Sequence, residues 1–241
     1  MKRLLLTLAL VLVPLAASAA EMDADTLAKR VGQVFAGYDD FWVWINQRFK
    51  EAGQDEVTYR GRAYFKREKM FRLNFGQPPF LIEGTDGVEY WKYNKDQNLI
   101  QFCPLNEKAP VHVLFGVFAA GEQMVKALDR YFDVDIYDPN AVYGPDKIPA
   151  YKLVLTLKPE RLKELYEQAG NKLIDPNAKQ TWTFWVDKET FLPRQIQVDW
   201  ENKDVYIFEL EDFHANAGLR EGLFRRPNPP GVKVEPMKEA P

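Results

Sequence analysis

Residues 61 to 75, GRAYFKREKMFRLNF, decide how this chain is read. Gly61, Ala63 and Phe65 share one side-chain phase. Phe71, Leu73 and Phe75 resume it after the charged run Lys66, Arg67, Glu68, Lys69. A period of two is the period of a strand, so the stretch predicts two strands joined by a charged link, with one continuous apolar face. Arg67 falls in the apolar phase, which predicts a cation at the rim of that face rather than on its solvent side.

The same period extends in both directions. FWVWINQRF sets Phe41, Val43 and Ile45 against Trp42, Trp44 and Asn46, and VTYRGRAYFK continues the pattern. LIEGTDGVEYWKY predicts a hairpin in which Asp86-Gly87 supplies the positive φ angles of a tight primed turn, and NLIQFC returns after a turn at Asn94 to Gln97. Later, YKLVLTLKP, the hairpin TWTFWVDKETFLPRQIQVDW around Asp187 to Thr190, and VYIFELEDF add further strands. DVDIYDPN predicts a strand end followed by an Asp-Pro turn, and FRRPNPPGVKVEP a proline-rich extended segment. Short links between successive strands predict antiparallel pairing. Around ten such strands exceed an ordinary open twisted sheet, so the sheet is expected to curl and present a concave face.

Helical periodicity is confined to three places. Residues 24 to 37 carry Leu27, Val31 and Val34 on one face, with Asp25 available as a cap. PVHVLFGVFAAGEQMVKALDRY, residues 110 to 131, predicts two short helices meeting near Gly121. The first, with Val113, Leu114, Phe115, Val117 and Phe118, is apolar around most of its circumference and suits a plug lying in a concavity. PERLKELYEQAG predicts a helix opened by Pro159 and closed by Gly170.

The start, MKRLLLTLALVLVPLAASAA, joins a basic pair, Lys2 and Arg3, to an apolar run and small residues suited to cleavage near Ala19 or Ala20. It reads as an export signal, its apolar run being shorter than the roughly 20 residues of a membrane span. The domain then comprises residues 21 to 241. Losing Lys2 and Arg3 and no acidic residue takes the formal charge from −3 to −5. An acidic chain without an arginine-rich block argues against nucleic acid as a partner.

Scarcity bounds the chemistry. The only serine is Ser18, so the exported chain has none for Ser-His-Asp hydrolysis. His112 and His214 have no companions at metal-ligand spacing, so neither a metal site nor a cofactor is expected. Cys103 is the sole cysteine, which excludes an internal disulfide and leaves it as a small hydrophobe.

These residues resemble the periplasmic outer-membrane lipoprotein carrier proteins of the LolA type. The resemblance runs through FWVWINQ, GRAYFKREKMFRLNF with the following QPP, TDGVEYWKYN, WVDKETFLPRQI and LFRRPNPPGV. It implies a mainly β (α+β) fold: an unclosed antiparallel barrel of about eleven strands with an N-terminal helix and a helical lid over the concave face. It also implies a monomeric, non-catalytic carrier whose cavity shields lipoprotein acyl chains. An inner-membrane lipoprotein-releasing transporter would hand over the cargo, and an outer-membrane acceptor lipoprotein would receive it. Cavity candidates are Phe41, Val43, Ile45, Phe65, Phe71, Leu73, Phe75, Trp91 and Tyr93; lid candidates are Val113, Leu114, Phe115 and Phe118. The family's gating arginine, which bonds to the lid, corresponds to Arg67. Glu68 stands where the family has proline.

Two rival readings share the pattern. One is a periplasmic sensor module of the same fold that reads lipids or mislocalised lipoproteins, with the Pro159 to Gly170 helix as its partner surface. The other is an enzyme using Glu83 and Asp86 as general acid and base, which the turn role of Asp86 weakens.

Overall fold

The protein is described by a computed structural model covering residues 22–67, 69–105, 132–161 and 179–237. A single helix, α1 (Ala24–Ala36), precedes β1 (Asp40–Lys50), β2 (Val57–Lys66), β3 (Met70–Phe75), β4 (Leu81–Asp86), β5 (Glu89–Asn94) and β6 (Leu99–Pro104). After the undescribed stretch come β7 (Phe132–Tyr143), β8 (Ile148–Leu157), β9 (Gln180–Asp187), β10 (Pro193–Trp200), β11 (Val205–Ala215) and β12 (Lys233–Pro236).

All twelve strands form one sheet in the order β12-β6-β5-β4-β3-β2-β1-β11-β10-β9-β8-β7. Each half is a meander of neighbours in sequence. The halves are welded where β1 pairs with β11, Ile45 opposite Leu210 and Gln47 opposite Phe208. The outermost strands, β7 and β12, do not pair with each other, so the sheet is unclosed. The first eleven strands pair with one another antiparallel, as expected. The twelfth, β12, lies in the tail read as merely extended and pairs parallel to β6, Val234 opposite Ile100.

The pleat puts one set of residues inside. From β3 through β1 to β8, Leu73, Phe71, Phe65, Ala63, Val43, Ile45, Leu210, Ile196, Phe184 and Leu153 belong to one buried apolar cluster. Each large side chain in it contributes about 1.5–3 kcal/mol. Sheets of this width twist and curl, and the cluster occupies one face, here called the inner face.

Helix α1 packs against this cluster through Leu27, Val31 and Phe35. The i, i+4 spacing of these three replaces the expected Leu27, Val31, Val34 face, and Val34 is only half-buried. Its cap is Asp23, whose Oδ1 accepts from Thr26 N at 2.7 Å; Asp25 lies in the first turn instead.

Two local readings change. In the β4–β5 hairpin only Gly87 takes a positive φ, 93°, so the central pair is Gly87-Val88. Asp86 caps the turn from the strand end, its Oδ1 accepting from Val88 N and Glu89 N. The stretch 133–140 is strand throughout. Bulges between Val134 and Ile136 and between Asp138 and Ala141 absorb the Asp138-Pro139 step in place of a turn. The hairpin at Asp187 forms as read, with Asp187 Oδ1 accepting from Glu189 N and Thr190 N, both at 2.9 Å.

Candidate functional site

Register fixes which face each candidate occupies. Phe41 opposes Phe65, Val43 opposes Ala63, and on β3 Phe65 opposes Phe71 and Ala63 opposes Leu73. Phe41, Val43, Ile45, Phe65, Phe71, Leu73 and Phe75 are therefore brought together on the inner face, all buried in one cluster. Phe41 and Phe65 stack with ring centroids 4.8 Å apart, and Phe35 of α1 reaches Phe41 at 5.3 Å. The alternation visible in the sequence is enough to place these seven.

Trp91 and Tyr93 are on the other face. Thr85, which opposes the inward Phe71, pairs with Tyr90, so Tyr90 points inward and Trp91 outward. Trp91 lies over Gly84, where a Cβ would sit 2.7 Å from the indole. Its Nε1 donates to Phe224 O at 3.1 Å. The C-terminal segment thus covers a small outer cluster, with Ile82, Trp91, Ile100 and Phe224 all buried. The phase error has a simple cause: β5 has large residues on both sides, and only the register to β4 tells them apart. Tyr90 replaces Trp91 inside, its ring stacked on Phe71 at 6.5 Å.

Arg67 stands at the end of β2, in the phase of the inner residues, as its position implies. Its Nε donates to Tyr38 O and its Nη2 to Ala36 O, each at 3.1 Å, while Nε also lies 3.1 Å from Asp39 Oδ1. The guanidinium is thus a fork on the C-terminal carbonyls of α1, where a cation also complements the helix dipole. The lid candidates Val113, Leu114, Phe115 and Phe118 lie outside the described residues, as do Glu68, the signal segment and the Pro159 to Gly170 helix beyond Arg161.

The polar groups of the inner face are few. Glu83 is buried opposite Leu73, accepting from Tyr90 Oη at 3.1 Å, with Lys92 Nζ at 3.5 Å. Burial first, and Glu83 second, hold the Tyr90 hydroxyl protonated well above its ordinary range. Glu83 and Asp86 are therefore engaged, one with Tyr90 and Lys92 and the other in its turn. Cys103 sits across from Tyr90, and burial, then the Glu89 carboxylate, pushes its thiol up. Among the described residues no group of three His, Cys, Asp or Glu side chains is placed to hold a metal ion.

Sequence reasoning passed over Gln47 and the aromatic rim beside it. Gln47 occupies the inward phase between Ile45 and Phe49, and its exposure is 0%. Neither its Nε2 nor its Oε1 has a hydrogen-bond partner among the described residues. Beyond it, at the end of the sheet away from α1, half-buried Phe49, Tyr59, Phe80, Tyr206 and Trp200 form an aromatic rim. Phe49 lies 6.1 Å from Tyr59 and 5.2 Å from Tyr206; Tyr59 lies 5.1 Å from Phe80; Trp200 lies 6.3 Å from Tyr206. The signal was available: one amide inside an otherwise apolar strand phase.

No protein-family model matches the chain, and no curated protein matches it. It is similar to several solved structures at low identity. A LolA superfamily protein from Nitrosomonas europaea is 11% identical over 84% of this chain and 97% of its own, with a TM-score of 0.43. A putative outer membrane lipoprotein-sorting protein domain from Vibrio parahaemolyticus is 13% identical over 83% and 95%, TM-score 0.44. LprF from Mycobacterium bovis is 8% identical over 86% and 97%, TM-score 0.48.

Proposed function

We propose that this protein is a periplasmic carrier that shields lipoprotein acyl chains against the inner face of its sheet and moves them from the inner to the outer membrane. One observation carries the reading: a single apolar face runs continuously across an unclosed sheet. A face so built takes up hydrocarbon from any direction that its covering elements open. A helix of α1's length spans only about 20 Å, against about 50 Å for twelve strands side by side, so α1 guards one end of that face.

The energies suit loading and unloading. Each methylene withdrawn from water contributes about 0.8 kcal/mol, so shielding about ten gives roughly 8 kcal/mol, micromolar affinity before ordering costs are subtracted. Closing the empty face on itself buries apolar surface too, which keeps the two states near balance. The chain needs no cofactor and no catalysis for this role. It would act as a monomer between an inner-membrane lipoprotein-releasing transporter and an outer-membrane acceptor lipoprotein.

Native mass spectrometry of the protein purified from periplasm tests the proposal. Adducts with the masses of acylated peptides or lipids are expected; a protein that is empty in every preparation overturns it.

A further inference from the structure

Resting on the acyl-carrier reading, we infer that Gln47 is the residue that recognises the carbonyl of an acyl linkage, ester or amide, and so sets how deep a lipid sits. The inner row across the sheet at this level reads Tyr59, Gln47, Phe208, Ile196, Phe184, Leu153. An unbranched hydrocarbon gains nothing from an amide here, and a packed core is better served by leucine. The side chain keeps one acceptor and two donors, Oε1 and Nε2, buried and without partners among the described residues. A carbonyl oxygen accepts from Nε2, and the hydroxyl or amide N–H next to such a linkage donates to Oε1.

The position of Gln47 along β1 gives the ligand a direction. It stands two positions from Phe49 at the aromatic rim, and six positions, about 20 Å, from Phe41 beside α1. The polar linkage then rests just inside the rim, and the chain runs toward α1. A second orphan supports the polarity of this end: Trp200 Nε1, in the inward phase of β10 and at the rim, is a buried indole donor without a partner among the described residues. The corresponding residues toward α1 are Ile45, Val43 and Phe41, which offer no polar atom.

A matched pair of lipids separates the amide's role from simple hydrophobic uptake. Monomyristoyl glycerol carries an ester carbonyl; its ether analogue, tetradecyl glycerol, has the same headgroup and chain length without one. Equilibrium binding of both is measured to the whole protein and to Gln47→Leu. The protein is expected to prefer the ester by about three- to tenfold, the span of one hydrogen bond. Gln47→Leu is expected to lose that preference and bind the two lipids alike, and a urea unfolding transition like that of the unaltered protein shows that the variant is folded. Equal binding of ester and ether by the unaltered protein overturns the inference and leaves the carrier reading intact, as does an ester preference that survives in Gln47→Leu. Binding of neither lipid overturns both.

Discussion

The two faces of this sheet are built by the same strands and satisfy their polar groups in different ways. On the outer face the polar side chains answer one another. Gln195 donates to Gln197, which donates to Asp199; Arg48 meets Glu209 at 2.8 Å and Asn46 meets Glu211 at 2.8 Å. Arg62 lies 4.0 Å over Trp44 and 4.6 Å over Trp42, and Trp42 stacks on His214 at 3.8 Å. The inner face is apolar except for a few groups, and Gln47 finds no protein partner among the described residues. On the outer face Arg48 and Arg62 each leave one buried atom, Nε, without a partner among the described residues while another of their nitrogens is bonded; on the inner face Gln47 leaves both ends of its amide unanswered. On the proposal made above, both faces hold the structure and the inner one alone meets the ligand.

Large-to-small substitution on each face is the strongest way to break this division. Phe71 on the inner face and Phe224 on the outer one are both buried, at 1% and 0% exposure. Phe71→Ala and Phe224→Ala are each expected to cost about 3–5 kcal/mol in urea unfolding, the usual penalty for emptying an aromatic site. Lipid affinity, measured where the variants remain folded, is expected to fall for Phe71→Ala and to stay level for Phe224→Ala. An equal loss of binding in both would show that the faces do not divide their work.

Much of this was legible in one dimension. Strict alternation in β1, β2 and β3 announced seven inner residues, because only a half-buried pleat asks for that pattern. It failed at β5, where Tyr90 and Trp91 are adjacent large aromatics and the apolar tail that covers Trp91 comes from more than a hundred residues away. The weld between β1 and β11 was equally hidden, since its evidence is complementary charge at long separation, Arg48 with Glu209. The twelfth strand escaped because proline-rich sequence argues against ladder donors, yet Lys233 to Pro236 at a sheet edge still pairs. The phase of Arg67 is legible in the sequence, whereas its partners on α1 depend on where the helix comes to rest.

A smaller effect, with a pH signature, is expected at the outer hairpin. Asp187 is nearly buried, which by itself would raise its pKa; the Thr190 amide, then Arg194 and the Glu189 amide, outweigh burial and hold it below the ordinary value. Arg194 Nη2 approaches Asp187 Oδ2 to 2.6 Å. A depressed carboxyl stabilises the fold above its unfolded-state pKa, and that stability is lost as pH falls through the folded-state value. Asp187→Asn is therefore expected to cost about 1–3 kcal/mol at neutral pH, the range for charged hydrogen bonds. Urea unfolding as a function of pH should show the gap to the unaltered protein closing only below the ordinary carboxylate range, about pH 4. A gap that does not change with pH would assign the cost to shape alone.

The smallest effect on stability is expected just past the end of β2, beside the C-terminus of α1. Arg67 is 58% exposed and its partner Asp39 75%, so their ion pair contributes well under about 1 kcal/mol, and salt screens it further. What Arg67 does for the structure is local: one planar fork holds Ala36 O at the end of α1 and Tyr38 O just beyond it, where the helix packs on the inner face. Arg67→Leu should accordingly leave the urea midpoint nearly unchanged while speeding hydrogen exchange in the last turn of α1, at Phe35 and Gly37. Arg67→Lys should exchange almost as fast, because a point charge reaches one carbonyl at a time. If both variants exchange like the unaltered protein, then Leu27, Val31 and Phe35 alone seat the helix, and opening it would have to work against the apolar contact rather than against a polar clasp.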